Sequence, residues 1–325
     1  MKIRFLAVSL IASIWAAAAN AQELSFVPEG VFSVSMSQDS LSWDQTHNKQ
    51  KDTVSNVQQE LTALGIQHSA VQGALSYSKS QQTSGFAYGL SSYFNLGMSV
   101  RNISFERAST LESLDSSNLE ATSYVEASKS RKVSGAGDTE LFVNMRHFHT
   151  DYGILISGIY IMEPTGKVEY DQQSPLHLGT GLRRFGYQLT WDGFVSGGYW
   201  YLHSLAQIAF DMKGKAKDSN GVEQILKGGS ANRMSTEILH QYGWLHYGTG
   251  FNFFVEPGHK LGDQKISDGQ LGSRYWVTLG LGNLSRLEKG PVALPWNFSV
   301  QVSNSYSGTN MPMAPGLLAK LTAYF

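Results

Sequence analysis

From Leu317 to the last residue the chain alternates: Leu317, Ala319, Leu321, Ala323 and Phe325 are apolar, and Lys320, Thr322 and Tyr324 fall between them. Successive side chains of a strand point to opposite faces, so this parity predicts a strand with one apolar and one polar side. Phe298, Val300 and Val302 repeat the pattern against Asn297, Ser299, Gln301 and Ser303, as do Tyr275, Val277, Leu279 and Leu281 against Arg274, Trp276 and Thr278. Earlier, Leu141, Val143 and Met145 oppose Glu140, Asn144 and Arg146, and Leu96, Met98 and Val100 oppose Ser99 and Arg101. Weaker segments run over Val31–Met36, Ser84–Ser92, Gly153–Met162, Gly181–Trp191, Phe194–His203, Met234–Tyr242 and Tyr247–Glu256. With the first five they predict about twelve strands, each near the length that crosses a bilayer.

The connections sort by length. Short turns are expected around Tyr93-Phe94-Asn95, Thr150-Asp151, Asp192-Gly193 and Gly243-Trp244-Leu245, with a longer one over Leu287–Leu294. Long polar loops are expected over Gln38–Thr83, Arg107–Gly137, Pro164–Leu178, Ser204–Gly229, Pro257–Gln270 and Ser305–Ala314. All eight prolines fall in these connections or at strand ends, where a missing N–H interrupts no ladder. The first loop carries one helix signal: Val54, Val57, Leu61 and Leu64 at helical spacing, with Asp52 as a candidate cap and Gly65 as a stop. Such a helix either packs on neighbouring loops, the favoured reading, or folds into a lumen as a plug.

The N-terminus changes where these strands are expected to sit. Lys2 and Arg4 precede an apolar run from Phe5 to Ala19, and Ala19-Asn20-Ala21 is a small-x-small site, so residues 1–21 read as a signal peptide cleaved near Ala21. No later stretch is long and apolar enough for a spanning helix. An exported chain of half-polar strands then fits a closed antiparallel barrel over residues 22–325, because only helices and barrels satisfy their backbone groups in lipid. The fold class expected is all-β: an outer-membrane barrel with short periplasmic turns and long extracellular loops, monomeric or weakly oligomeric. An even strand number puts both termini on the periplasmic side, and the terminal aromatic Phe325 is the feature by which the barrel-assembly machinery would take up the last strand.

Composition supports this and narrows the partners. Gly is abundant, aromatics make up 12% and charged residues only 16%. Without the leader the chain has 23 basic and 26 acidic residues and no basic cluster, which argues against a nucleic-acid partner and leaves outer-membrane lipid and a small solute. Cysteine is absent, so disulfide, thiolate and lipid-anchor chemistry are excluded. No phosphate-binding loop, dinucleotide fingerprint or calcium loop occurs, and no cofactor is expected.

Several stretches, in order, resemble the MetA-pathway of phenol degradation family of outer-membrane barrels: Pro28-Glu29-Gly30-Val31-Phe32, Tyr88-Gly89-Leu90 running through a turn to Leu96-Gly97-Met98-Ser99-Val100, Gly135-Ala136-Gly137-Asp138-Thr139-Glu140-Leu141, and Glu163-Pro164-Thr165-Gly166. The first loop is longer than the family pattern, and Val100-Arg101-Asn102 lacks a proline after the strand. The resemblance implies a barrel passing hydrophobic or aromatic solutes. Read without it, Gly135, Gly137 and Asp138 are turn and capping residues at a strand entrance.

Parity names the residues that would face a lumen: Arg101, Glu140, Arg146, Arg184, Glu237, Arg274 and Lys320, with Trp276 and Tyr324 as inward aromatics. Such charges set pore selectivity or satisfy one another in a closed interior. Tyr93, Tyr152, Tyr160, Trp191, Trp244, Tyr247 and Trp296 are expected in aromatic girdles. His147 and His149, two apart, lack a third ligand for a metal, so no metal site is expected. The functional expectation is a channel-like barrel for small molecules and not an enzyme. Two alternatives stand beside it: a plugged structural or surface-interaction barrel, and a lipid hydrolase using His203 or His240, for which no catalytic residues can be assigned.

Overall fold

The computed structural model describes residues 26–48, 50, 52–150, 152–168, 178–195, 200–217, 222–265, 269–282 and 295–325. Its frame is twelve strands: β1 Phe32–Trp43, β2 Leu75–Gly89, β3 Phe94–Ser109, β4 Thr139–Thr150, β5 Gly153–Glu163, β6 Arg184–Val195, β7 Trp200–Asp211, β8 Ser230–Tyr242, β9 Leu245–Glu256, β10 Gln270–Gly282, β11 Trp296–Thr309 and β12 Gly316–Tyr324. Each pairs antiparallel with its neighbours in sequence, and β1 pairs with β12 from Ser33 opposite Tyr324 to Leu41 opposite Gly316. The sheet is therefore closed, and no barrel edge is left unpaired.

The alternation read from the sequence is the radial direction. Leu317, Val302, Val277, Leu279 and Leu281 are exposed on the outside, while Lys320, Gln301 and Thr278, between them in parity, are buried inside. Exposed aromatics ring the end of the short turns: Tyr93, Tyr152, Tyr242, Trp244, Tyr247 and Phe325. Trp191 and Trp296 also follow outward parity. Tyr160 does not. It faces inward opposite Gly186, because only a residue without Cβ leaves room for the ring against that wall.

Several boundaries differ from the sequence reading for physical reasons. Asp192-Gly193 lies inside β6, not in a turn, because Asp192 faces inward and bonds His203. β6 runs on to Val195, and β7 starts at Trp200 and continues through Ser204 to Asp211. β1, β2 and β3 run well into the expected loops: on their outer face Gln38, Ser40, Ser80, Gln82, Asn102 and Ser104 continue the ladder with polar side chains, which hid the strands from a search for apolar alternation. Strand Arg131–Ala136, inside the expected second loop, extends the wall by pairing with β3. β11 reaches Thr309. The expected turn at Leu287–Leu294 and the signal segment with its cleavage site lie outside the described residues.

The loop end is built over. Helix α1, Asn56–Leu64, is capped not by Asp52 but by Ser55, whose hydroxyl oxygen accepts from the Gln58 amide at 3.2 Å, and it stops at Gly65 with φ 73°. Val54 lies in the preceding short strand. Helix α2, Leu119–Ala127, comes from the second long loop and was not foreseen. Leu61, Ile66 and Val71 from the first loop pack with Leu111, Ala121 and Tyr124 from the second, and with Leu75 and Tyr77 of β2. The helix thus packs both on the second loop and on Leu75 and Tyr77 of the wall.

Candidate functional site: the barrel lumen

Inward parity places every lumen residue expected from sequence on the inner wall, at three levels. Nearest the turn end the interior is packed. Glu237 Oε1 accepts bonds from Trp276 Nε1 at 2.9 Å, Gln301 Nε2 at 3.3 Å and the Thr278 hydroxyl. His203 Nδ1 meets Asp192 Oδ1 at 2.7 Å, and Lys320, Thr322 and Tyr324 are buried in the same layer. Trp276 fits because it lies against Gly250, where a Cβ would come within 2.2 Å of the ring. Arg146 stacks on the Phe26 ring, 5.0 Å from its centroid, so the segment before β1 also enters the interior. A buried carboxylate with three donors is satisfied, as a low-dielectric interior demands.

Halfway up, the packing opens. Arg233 keeps accessible surface although it shares inward parity with Ser235 and Glu237, so the inner wall borders open space here. Arg274, Lys79 and Asp39 share this level, and Asp39 stands within Coulombic reach of Arg274, Lys79 and Arg233. Arg101 pairs with Glu140 at 3.1 Å. Toward the loop end Arg184 is fixed between Asp211, at 2.7 Å, and Glu256, at 2.9 Å. There the inner wall turns aromatic: the rings of Trp43, Tyr77 and Phe105 lie 5.7 to 5.8 Å apart, pair by pair.

The lid rests on these rings. The Tyr77 hydroxyl donates to Glu60 of α1, and the Tyr124 hydroxyl of α2 donates to the same carboxylate at 3.1 Å. Burial pushes the Glu60 carboxyl above its usual range, and the two tyrosine bonds oppose that shift. Tyr124 is raised in turn by burial and by the Glu60 charge.

The Gly-x-Gly-Asp stretch proves to be a strap. Asp138 accepts from the Gly166 amide at 3.1 Å, the Thr180 amide at 2.8 Å and the Thr180 hydroxyl at 3.0 Å, tying the third long loop to the entrance of β4. His147 and His149 do not share a face. A bulge puts Arg146 opposite Ile156 and Phe148 opposite Leu155, leaving His147 as the extra residue, bonded to Ser157 at 2.7 Å. Ser204 turns its hydroxyl to Thr236 on the outer face, away from the His203–Asp192 pair, and His240 lies outside between Trp200 and Tyr247.

Sequence reasoning missed Asp39, Lys79, Arg233 and Asp192. Three of them sat in segments taken for loops or just outside a strand boundary, and Asp192 read as a turn residue. The usable signal was parity alone: Lys79 alternates with Ser76, Ser78 and Ser80, and Arg233 with Asn232 and Met234.

No family model and no curated protein matches the sequence. Among solved structures the chain is similar to an outer membrane channel of Pseudomonas putida F1, with 13% identity, 94% of this chain and 100% of that one covered, and a TM-score of 0.66. Weaker likenesses are the transport unit of the autotransporter AIDA-I of Escherichia coli (10% identity, 93% and 92% covered, TM-score 0.47) and a Pseudomonas aeruginosa FadL homologue (10%, 92% and 90%, TM-score 0.42). The chain has the fold of bacterial outer-membrane β-barrels.

Proposed function

We propose that the chain is exported, cleaved near Ala21 and assembled in the outer membrane as a channel for small molecules, with short turns periplasmic and long loops outside. The observation that carries this is the division of the lumen: a middle level of loosely packed charged side chains between a loop lid and a polar constriction. An interior meant only to be filled would be cheaper to build from apolar side chains, since each buried charge must be satisfied. A layer held by hydrogen bonds around Glu237 can instead exchange partners with a passing solute or water. The Pseudomonas putida F1 protein of like fold is described as an outer membrane channel, and the motif order resembling the MetA-pathway family supports small, partly apolar cargo.

Proteoliposome swelling tests the proposal. Vesicles holding the full chain are expected to admit small solutes faster than empty vesicles, and Glu237→Ala, which opens the constriction, to raise the rate. Equal swelling of protein-containing and empty vesicles would contradict it. One observation favours a second reading, a closed structural barrel: the turn-end layer and Phe26 leave its inward side chains buried. Glu237→Ala vesicles that swell no faster than empty ones would support that reading.

A further inference from the structure

The geometry points to a binding site for an aromatic carboxylate at the middle level of the lumen, formed by Lys79, Arg233 and Arg274 beneath the Trp43, Tyr77 and Phe105 rings. It rests on the channel reading and names the class of solute.

Among the described residues Arg101 has Glu140 and Arg184 has Asp211 and Glu256. No carboxylate among the described residues lies within ion-pair distance of Lys79, Arg233 or Arg274, and the buried Nε of Arg274 has no hydrogen-bond partner. Asp39 is in Coulombic reach of all three, Glu256 and Glu140 of Arg233, and Asp138 of Lys79, but none of these carboxylates pairs with the three cations. None of the three cations has an ion-pair partner among the described residues and the buried Arg274 Nε lacks an acceptor, so an anion at this level supplies the missing acceptor.

The surroundings decide which anion. Lys79 stands directly between Leu41 and Phe105 in the ladder, and the next row up holds Trp43 and Tyr77. Arg233 is paired with Phe254 on the other side of the lumen. A cation flanked by rings and aliphatic groups fits a ligand with a charged end and a flat apolar body: the carboxylate reaches the nitrogens and the ring stacks toward the aromatic wall. Asp39 works against a second negative charge, so a monocarboxylate suits the site better than a phosphate dianion.

The test is titration of the detergent-solubilised full chain with benzoate, benzyl alcohol and inorganic phosphate in low-chloride buffer, read by calorimetry. Saturable benzoate binding is expected, weakening with salt, with benzyl alcohol and phosphate at least about tenfold weaker. Lys79→Gln and Arg274→Gln should each weaken benzoate about tenfold. Asp39→Asn should tighten it, a change that a damaged barrel would not produce. Benzoate binding no better than benzyl alcohol, or as well to the cation variants as to the wild type, would overturn the site. A barrel silent in bilayers that still binds benzoate contradicts the channel reading alone, and a conducting barrel indifferent to benzoate contradicts this inference alone.

Discussion

Gly250 and Trp276 show how a single missing methyl group shapes the interior. The Trp276 ring lies across Gly250 and donates to Glu237, so an alanine at 250 would push the ring off the wall and away from its acceptor. Overpacking of this kind costs about 1–3 kcal/mol. Gly250→Ala should lower the urea midpoint of unfolding from lipid vesicles, and the loss should largely disappear in a Trp276→Ala background, where the clash is gone. An equal loss in both backgrounds would assign the cost to the strand itself. Glu60 gives a pH prediction at the same scale. Because burial raises its folded pKa above the ordinary 4.5, the folded lid binds more protons than the loosened one. Lid stability is therefore fully present below about that value and is lost as pH rises through the raised one. Amide exchange of α1, corrected for intrinsic rates, should show greater protection at pH 4 than at pH 8, and Glu60→Gln should remove the difference.

At the level of elements, the lid is held by apolar contact more than by its termini. Leu61 is 1% exposed and meets residues from both loops, so Leu61→Ala should cost about 2–5 kcal/mol locally. Exchange in α1 and α2 should then rise together while the barrel strands keep their protection; a rise in α1 alone would show that the two loops are not one unit. Most strands were legible in the sequence because lipid outside and polar groups inside write the parity into residue types. Legibility failed where that contrast fails. Above the apolar belt Ser40, Ser80 and Ser104 face water, so strand and loop look alike in composition though the ladder continues. α2 was hard to see because its packed face is one turn long, Ala121, Tyr124 and Val125, amid polar residues and an exposed Leu119. Of the lumen residues, those on apolar-flanked strands such as Arg101 and Lys320 were readable, whereas Lys79 and Asp39 stood among serines and glutamines.

The whole molecule is a closed wall with three distinct interior levels, and each level uses residues from strands distant in sequence. Glu237 of β8 collects donors from β10 and β11, and the middle cations come from β2, β8 and β10. Register across the wall, not any local motif, brings them together, which is why no short signature announces the site. The channel reading depends on whether this interior conducts. Single-channel recording of the full chain in planar bilayers tests it most directly. The account predicts small, steady unitary steps that grow in Glu237→Ala; silence in both wild type and variant, from protein shown to be folded and inserted, would contradict it.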